Sequence, residues 1–206
     1  MNVNLLLIKL SQAMNDLIEL DKKILLFFNG LHNPFWDTVM YYATQTFCWL
    51  PLYILLILLI FKKYKVNGWL LLLGAALTIA LANTITSELM KPYFERLRPT
   101  REPSLQGLIH TVNGYIGGLY GFASSHAANT FGTALFLWLW LRPFYKHSYL
   151  IFLWAAFMTY TRIYLGVHYP ADVLVGAVIG LLSGWAAYQV TYWVIMQRTK
   201  KNASSS

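Results

Sequence analysis

Charge and cysteine are both scarce in this 206-residue sequence. Only 12% of its residues are charged, 16 Lys and Arg against 8 Asp and Glu, whereas 57% are hydrophobic. So apolar a composition excludes an ordinary soluble domain and favours an integral membrane protein. Cys48 is the single cysteine, which excludes an intrachain disulfide and a thiolate metal cluster. We expect Cys48 to be a small buried apolar residue.

Long uncharged runs take up much of the chain. A membrane-spanning helix needs about 20 apolar residues, because the hydrocarbon core is about 30 Å thick and each helical residue rises about 1.5 Å. The sequence predicts five such spans, at 36–61, 67–90, 122–141, 148–166 and 170–196. We therefore expect an all-α fold, a polytopic transmembrane helix bundle of about five spans, in a single membrane-embedded domain at 1–206.

The two ends of the chain are more polar than the spans. In residues 1–35, apolar residues near helical spacing, such as Leu6, Leu10 and Leu17, alternate with charged ones, which predicts an amphipathic interfacial helix. A cleaved signal peptide is disfavoured because the start is not basic and no small-residue cleavage site follows. The polar segment 199–206 is expected to be a disordered tail.

Positive residues between the spans indicate the orientation, because cytoplasmic segments are enriched in Lys and Arg. Three connections and ends carry such residues: Lys62, Lys63, Lys65, Arg142, Lys146, Arg198, Lys200 and Lys201. With these and the C-terminus in the cytoplasm, the N-terminal region, the loop 91–121 and the link 162–170 face outward. The net charge of +8 does not indicate a nucleic-acid partner, since the cations lie at the ends of apolar segments rather than on one soluble face.

The first polar cluster on the outward side lies at 91–99. Pro92 and Pro99 limit how far a helix can continue there, so Lys91 and Arg98 are expected at the membrane interface. One interpretation is that these cations only contact lipid headgroups, as cations at helix ends often do. The other is that they bind a phosphate group.

A second cluster, Ala123-Ser124-Ser125-His126, begins the third predicted span. The free amides of a helix N-terminus attract anions, so two hydroxyls and an imidazole at this position fit an anion site. The structural alternative is a serine N-cap with the histidine in a hydrogen bond between helices.

The third cluster contains Arg162, His168 and Asp172. Pro170 suits the first turn of the last helix, and His168 and Asp172 are then about one helical turn apart. A carboxylate at that distance can fix the imidazole tautomer, which leaves the other ring nitrogen as base or nucleophile. Alternatively, the pair is an ordinary contact at the end of a span. Three ionisable clusters on one membrane face favour a shared function.

In order, the clusters supply K-x-x-x-x-x-x-R-P, Ser-x-His and R-x-x-x-x-x-H-x-x-x-D between positions 91 and 172. This pattern resembles the type 2 phosphatidic acid phosphatase and vanadium haloperoxidase superfamily. The resemblance implies a phosphate-binding set made up of Lys91, Arg98, Ser124, Ser125 and Arg162. Ser125 stands where the family commonly has glycine, whose N–H would approach a phosphate, and its side chain could narrow that pocket.

The same resemblance implies a catalytic set of His168, His126 and Asp172. His168 would be the nucleophile that forms a phosphohistidine, Asp172 would orient its ring, and His126 would be the general acid. No cofactor is expected, and no metal either, because the site has too few carboxylates for a magnesium cage and its cations would repel a metal ion.

The expected function is hydrolysis of a lipid phosphate or diphosphate at the extracytoplasmic face of a bacterial inner membrane. Undecaprenyl diphosphate, lipid A and phosphatidylglycerol phosphate are substrates of the expected type, and the sequence does not choose among them. Transfer of phosphate to another lipid is one alternative activity. A small transporter is another, although transporters commonly carry their polar residues in mid-membrane, and a soluble-type haloperoxidase does not fit so apolar a chain.

Overall fold

The computed structural model describes residues 3–204, and within that range the chain is helical with no β-strand. The helices are α1 (Val3–Gly30), α2 (Pro34–Ala43), α3 (Leu50–Tyr64), α4 (Gly68–Asn83), α5 (Lys91–Phe94), α6 (Ser125–Leu141), α7 (Ile151–Tyr164) and α8 (Pro170–Ser204). A π-helical turn, Thr84–Met90, joins α4 to α5. The all-α prediction is confirmed.

Helix α1 agrees with the helix predicted near the N-terminus, and most of its described side chains are exposed. Its C-terminal half has a buried face, where Leu25 and Asn29 are almost fully buried and Asp21 is largely so. This face packs against α7 and α8. The helix is therefore part of the structure that surrounds the site, and its location at a membrane surface stays a prediction.

The first predicted span, 36–61, is not one helix. Helices α2 and α3 are separated at Thr44–Trp49, where the indole N–H of Trp49 donates to the carbonyl of Ala43 at 2.7 Å. Pro51 lies in the first turn of α3 and lacks the N–H that would continue a preceding helix. The expectation that Cys48 is buried is wrong, because it lies in this break and is exposed.

Helices α3 and α4 form a hairpin. Lys65, between them, has a φ of +48°, a left-handed conformation that ends α3 and reverses the chain. Ile60 and Leu71, from either side of this turn, pack in the same buried cluster as Phe136 and Trp140 of α6. Because the hairpin leads back across the bundle, the end of α4 and α5 reach the opposite end from Lys65.

Glycines allow α6 and α8 to pack closely. A Cβ at Gly176, Gly180 or Gly184 of α8 would meet backbone oxygens of Ser124, Ala128 and Gly132 respectively. Small residues four apart let two helix backbones approach in this way, as in membrane helix pairs. At the N-terminal ends of both helices the N–H of Ser124 donates to the carbonyl of Asp172 at 2.9 Å. The second and third polar clusters are joined at this bond.

Two segments are long and apolar enough to cross a membrane by length and composition, Thr46–Phe94 and Pro170–Lys201. The first contains the α3–α4 hairpin. Only 28% and 33% of their most apolar windows are buried, whereas the core helix of a soluble protein would be mostly buried. Large exposed apolar surfaces of this kind fit contact with lipid. Helices α6 and α7, with 17 and 14 residues, are shorter than about 20 residues, so the count of five spans stays a prediction.

The last helix is longer than the predicted span 170–196. It begins at Pro170, as expected for proline in a first helical turn, and continues to Ser204. The structure thus differs from the predicted disordered tail over residues 199–204, and residues 205 and 206 lie outside the described range.

Candidate active site

The three predicted clusters meet at one end of the bundle. The site is formed by the segment after α4, the N-terminus of α6, the last turn of α7, the link 165–169 and the first turn of α8. Backbone hydrogen bonds between residues close in sequence stabilise this link. The N–H groups of Val167 and His168 both donate to the carbonyl of Arg162, at 3.1 and 3.2 Å. His168 is thereby fixed next to the end of α7.

His168 and Asp172 are paired at the centre of the site. Nδ1 of His168 lies 3.4 Å from Oδ2 of Asp172, and the two side chains are 2% and 0% exposed. The distance is long for a hydrogen bond, partly because the same carboxylate oxygen accepts the backbone N–H of Tyr169 at 3.0 Å. The predicted partnership is present, with its histidine in the link rather than on the helix.

The other oxygen of Asp172 belongs to a buried chain of charges. Arg96 donates to Oδ1 of Asp172 and, through its second terminal nitrogen, to Oδ2 of Asp21, both at 2.7 Å. Oδ1 of Asp21 accepts the N–H of Ala171 at the start of α8 at 2.9 Å. The guanidinium also lies over the ring of Tyr169, 4.0 Å from its centroid. Arg96 therefore connects α1 to the carboxylate that faces His168.

These partners favour the protonated, charged form of Arg96. Burial alone would lower its pKa, but Asp172, followed by Asp21, raises it above its ordinary value. Both carboxylates near the site are thus already paired with a guanidinium. Among the described residues, this arrangement suits an anionic ligand better than a metal ion.

Arg98 is held by one backbone carbonyl of the outer loop and one of the link 165–169. Its Nε donates to the carbonyl of Tyr120 at 3.1 Å, and one terminal nitrogen donates to the carbonyl of Val167 at 3.4 Å. A Cβ at Gly121 would lie 3.0 Å from Oδ2 of Asp172 and 3.3 Å from Cγ of Arg98. Glycine at this position lets the loop backbone lie directly against the site.

Arg162 is the most buried of the predicted cations, at 5% exposure. One terminal nitrogen donates to the hydroxyl of Thr44 at 2.6 Å, and the other donates to the hydroxyl of Tyr115 at 3.0 Å. Both partners are neutral, and no carboxylate within the described residues pairs with this guanidinium. Its positive charge is left for a ligand, and a buried unpaired charge of this kind is costly unless it has such a role.

Burial lowers the pKa of the His168 imidazole well below its usual value, and Arg98, Arg162 and Lys91 lower it further. The three cations are therefore close enough to His168 to act on its charge. Burial, followed by Arg162, also lowers the pKa of Arg98. The site thus combines the neutral imidazole of His168 with the positive charges of Lys91, Arg98 and Arg162.

The two serines of the second cluster have different partners. Ser124 is fully buried and is the N-cap of α6, where its hydroxyl accepts the N–H of Ala127 at 3.4 Å. The interpretation of Ser124 as an N-cap is thus confirmed. The Ser125 hydroxyl instead accepts from Nζ of Lys91 at 2.7 Å and lies 2.8 Å from the hydroxyl of Thr86 and 2.7 Å from that of Ser87.

These contacts depend on the π-helical turn. Its wider winding presents Thr86, Ser87 and Lys91 to the start of α6, and such turns occur frequently at functional sites. Lys91 also donates to the Ser87 hydroxyl at 3.1 Å. The Ser125 hydroxyl therefore helps to fix the position of Lys91.

His126 lies between this site and an apolar cavity. Its Nε2 is buried without a hydrogen-bond partner among the described residues. A cavity of about 450 Å³ extends from His126 between α3, α4, α6 and α7. Leu56, Ile60, Ala75, Ile79, Leu137, Trp154 and Met158 are among the apolar residues that line it. The imidazole of His126 thus has the polar site on one side and the apolar cavity on the other.

Sequence reasoning did not find the residues that support the predicted ones. Asp21, Thr44 and Tyr115 are far from the clusters in the sequence, and nothing in their neighbourhood indicates a partner. Arg96 lies within the first predicted cluster, 91–99, but was not predicted as a site residue. Its position two residues before Arg98, in a segment with two prolines, was the one available signal that it is held near the same site.

Comparison with known proteins finds a matching family model and similar proteins. The model of the PAP2 superfamily matches residues 68–196. A lipid A 4'-phosphatase of Bacteroides thetaiotaomicron is 41% identical over 178 residues, covering 85% of this chain and 79% of that protein. A lipid A 4'-phosphatase of Porphyromonas gingivalis is 32% identical over 180 residues, covering 86% of this chain and 75% of that protein.

Two solved structures have a similar fold. The crystal structure of a transmembrane PAP2-type phosphatidylglycerolphosphate phosphatase from Bacillus subtilis superposes with a TM-score of 0.66 at 24% identity, covering 93% of this chain and 96% of that one. The structure of Aquifex aeolicus LpxE gives a TM-score of 0.60 at 24% identity, with 82% and 95% coverage. At this identity the likeness shows the fold alone.

Proposed function

The chain belongs to the PAP2 superfamily, and from this premise we propose that it removes the 4'-phosphate of lipid A at the extracytoplasmic face of a bacterial inner membrane. Within that family it is a membrane lipid phosphatase. The choice of lipid A rests on two relatives of that name, which align over most of both chains. The observation that carries the chemistry is the buried His168, paired with Asp172 and surrounded by three cations.

The three cations suit a phosphate monoester. Arg98 and Arg162 are fixed by neutral or backbone partners and keep their charge for the ligand. A guanidinium can donate two parallel hydrogen bonds to phosphoryl oxygens, and Lys91 adds a point charge. Preorganised cations stabilise the charge on the phosphoryl oxygens in the transition state without reorganising.

His168 is the proposed nucleophile. With Nδ1–H donating to Asp172, its Nε2 keeps a lone pair, and the lowered pKa of the ring keeps it unprotonated at neutral pH. Nε2 attacks phosphorus, the P–N bond forms, and the P–O bond to the sugar breaks. Asp172 stabilises the positive charge of the phosphohistidine ring.

His126 is the proposed proton carrier. Its unpartnered Nε2 donates a proton to the departing sugar oxygen in the first step. In the second step it accepts a proton from water as the water oxygen bonds to phosphorus and the P–N bond breaks. The products are the lipid alcohol and inorganic phosphate, and no metal takes part in either step.

The apolar cavity beside His126 supports a lipid substrate. Its mainly apolar walls and its volume of about 450 Å³ fit part of an acyl chain, while the cations bind the headgroup phosphate. An amphiphile with its phosphate at His168 can therefore leave its tail among helices and lipid.

The charge distribution supports an outward site in a five-span topology. At the end of the bundle away from His168, Lys63 lies over the rings of Phe144 and Tyr145, and Arg198 lies beside Val66. Lys63 lies in the last turn of α3, Phe144 and Tyr145 follow α6, and Arg198 lies near the C-terminal end of α8. Cations at this end favour its cytoplasmic location, which orients His168 to the exterior.

The test is a product analysis with purified protein in detergent. Lipid A that carries both the 1- and 4'-phosphates, undecaprenyl diphosphate and phosphatidylglycerol phosphate are supplied separately, and free phosphate and lipid mass are followed. We expect loss of the 4'-phosphate to be fastest, and His168→Ala to slow it about 1,000-fold or more. The matched control is His147→Ala, which removes an exposed histidine. Faster release from either other lipid would reject lipid A as substrate.

The same experiment separates hydrolysis from phosphotransfer. Water and a lipid hydroxyl are both able to attack a phosphohistidine, so the acceptor decides the activity. Hydrolysis predicts equal amounts of free phosphate and dephosphorylated lipid, whereas transfer predicts a phosphorylated second lipid and little free phosphate. Quenching in alkaline detergent after reaction with lipid that carries a labelled phosphate checks for phosphohistidine, whose P–N bond survives alkali but not acid and which His168→Ala must lack.

A further inference from the structure

Three side chains that are common metal ligands meet outside the active site. His32 lies in the turn between α1 and α2, Asp37 in the first turn of α2, and His110 in the outer loop. One ligand atom from each lies within 4.8 Å of the others. Nε2 of His110 is 3.0 Å from Oδ2 of Asp37. The site joins two parts of the chain that are more than seventy residues apart.

The two imidazoles are arranged in an unusual way. The rings of His32 and His110 are parallel within 7°, with centroids 3.7 Å apart. Face-to-face rings are less favourable than offset or edge-to-face rings because their quadrupoles repel, and two protonated rings would repel more strongly. A metal ion lies in the plane of each imidazole that it binds, so the exposed ring of His32 must turn out of this stack before it shares an ion with His110.

Two of the three residues are already held by partly buried contacts, Asp37 through its side chain and His110 through its backbone. Oδ1 of Asp37 accepts the hydroxyl of Tyr164 at 2.7 Å, which leaves Oδ2 facing His110. The buried side chain of Asn29 accepts from the N–H of His110 at 2.8 Å and donates to its carbonyl at 2.9 Å. Hydrogen bonds of this kind orient ligands in metal sites and are important for affinity.

The third ligand needs only a small movement. Ligand atoms in a tetrahedral zinc site are about 3.3 Å apart, given bonds of about 2.0–2.1 Å. The His110–Asp37 distance of 3.0 Å is already close to this value. His32 is exposed, so its ring can turn out of the stack and shift by the remaining distance, about 1.5 Å at most, without disturbing buried structure.

We propose that His32, Asp37 and His110 form a binding site for a divalent transition metal ion, and that Zn²⁺ is the ion it binds. Two imidazoles and one carboxylate suit zinc, whereas calcium and magnesium require more oxygen ligands. Water completes the tetrahedron. The ion fastens the α1–α2 turn to the outer loop that carries Tyr115, the partner of Arg162, and it takes no part in the phosphate chemistry.

The experiment measures metal binding directly. Protein without a histidine tag is treated with chelator, exchanged into metal-free detergent buffer, and titrated with Zn²⁺ in competition with a chromophoric chelator. We expect a single equivalent to bind the wild type and His147→Ala, a control at an exposed histidine in the α6–α7 connection. His168→Ala must also bind it, which separates this site from the active site.

The ligand variants give the decisive comparison. His32→Ala and His110→Ala are expected to weaken binding at least about 100-fold, and Tyr164→Phe, which leaves the ring but removes the hydrogen bond to Asp37, about tenfold. Co²⁺ should give tetrahedral visible absorption with the wild type and none with His32→Ala. Zn²⁺ should also raise the unfolding temperature of the wild type but not of His32→Ala.

Because His32 is exposed, its replacement leaves the fold intact, and unfolding temperatures measured in chelator check this. Unchanged Zn²⁺ affinity in both His32→Ala and His110→Ala overturns the proposal. So does a wild type that binds no Zn²⁺, in which case the three residues form only an ion pair with a stacked ring.

Discussion

Arg96 and Asp172 form a 2.7 Å ion pair in which the carboxylate is fully buried, and the other oxygen of that carboxylate faces His168. The pair explains why a carboxylate next to the proposed nucleophile stays ionised in an apolar surrounding, since burial of an unpaired charge is costly. Asp21 extends the pair to α1. Helix α1 is thereby connected through Arg96 to the proposed active site.

Arg96→Gln is predicted to remove this support. We expect kcat to fall about tenfold or more and the free energy of unfolding to fall by up to about 3 kcal/mol, because Asp172 loses its charged partner. Phosphate release and thermal unfolding measure the two effects. Arg101→Gln is the control, since Arg101 is an exposed cation of the same loop. Equal behaviour of the two variants would contradict a positioning role for Arg96.

Tyr115→Phe tests how Arg162 is held. The change removes one hydrogen bond to a buried guanidinium and keeps the aromatic ring beneath it. The loss of such a bond costs about 1–2 kcal/mol, so we expect kcat/KM to fall about five- to thirtyfold. The steady-state rates of Tyr93→Phe, at a tyrosine that is 81% exposed, should match the wild type. If Tyr115→Phe does so as well, Thr44 alone is sufficient to hold Arg162.

Lys91 is predicted to contribute more to kcat/KM than Ser125. Lys91→Ala removes a proposed phosphate-binding cation and should lower kcat/KM by about 100-fold. Ser125→Gly removes only one of the two hydroxyls that Lys91 contacts, so we expect a fall of less than about tenfold. Kinetics of both variants with one lipid substrate check the ranking. A larger loss in Ser125→Gly would indicate that its hydroxyl contacts the phosphate itself.

The sequence predicted the proximity of His168 and Asp172 better than the contacts around them. His168 and Asp172 are four residues apart, and Pro170 fixes the helix start between them, so local rules were sufficient for that pair. The contact of Arg96 with Asp21, or of Arg162 with Thr44, joins residues 75 and 118 positions apart, and no local pattern encodes such a pairing.

The same limit applies to the fold. Apolar runs located the helices, but the run between Asp37 and Lys62 contains no charge, and hydrophobicity alone did not reveal the break at Thr44–Trp49. Ser125 illustrates a second limit. Its position indicated an altered phosphate pocket, whereas its contacts with Thr86, Ser87 and Lys91 depend on a π-helical turn that periodicity does not predict.

The lowered pKa of His168 predicts a specific dependence of stability on pH. The unfolded chain protonates this histidine below about pH 6.5, while the folded protein keeps it neutral. At this histidine the unfolded state thus binds more protons as the pH falls, and this one group lowers the free energy of unfolding by up to about 2 kcal/mol at pH 5. His168→Gln should lose less stability than the wild type between pH 7 and pH 5 in thermal unfolding. His147→Gln is expected to follow the wild type, and a parallel loss in all three proteins would contradict a neutral buried His168.

Close packing of α6 on α8 gives the last prediction. A Cβ at Gly180 would meet the backbone of Ala128, and backbone atoms cannot rotate away as a side chain can. Gly180→Ala must therefore separate the helices, which also strains the Ser124–Asp172 hydrogen bond at their N-terminal ends. We expect a loss of about 1–3 kcal/mol in unfolding free energy and lower kcat.

Gly118→Ala is the matched control for Gly180→Ala, because no atom lies within 4 Å of a Cβ at Gly118. Thermal unfolding and phosphate release are measured on both variants under the same detergent conditions. If Gly180→Ala unfolds at the wild-type temperature, the α6–α8 interface is looser than the structure has it. Loss of activity without loss of stability would instead locate the effect at the Ser124–Asp172 end, since that bond connects the helix interface to the carboxylate beside His168.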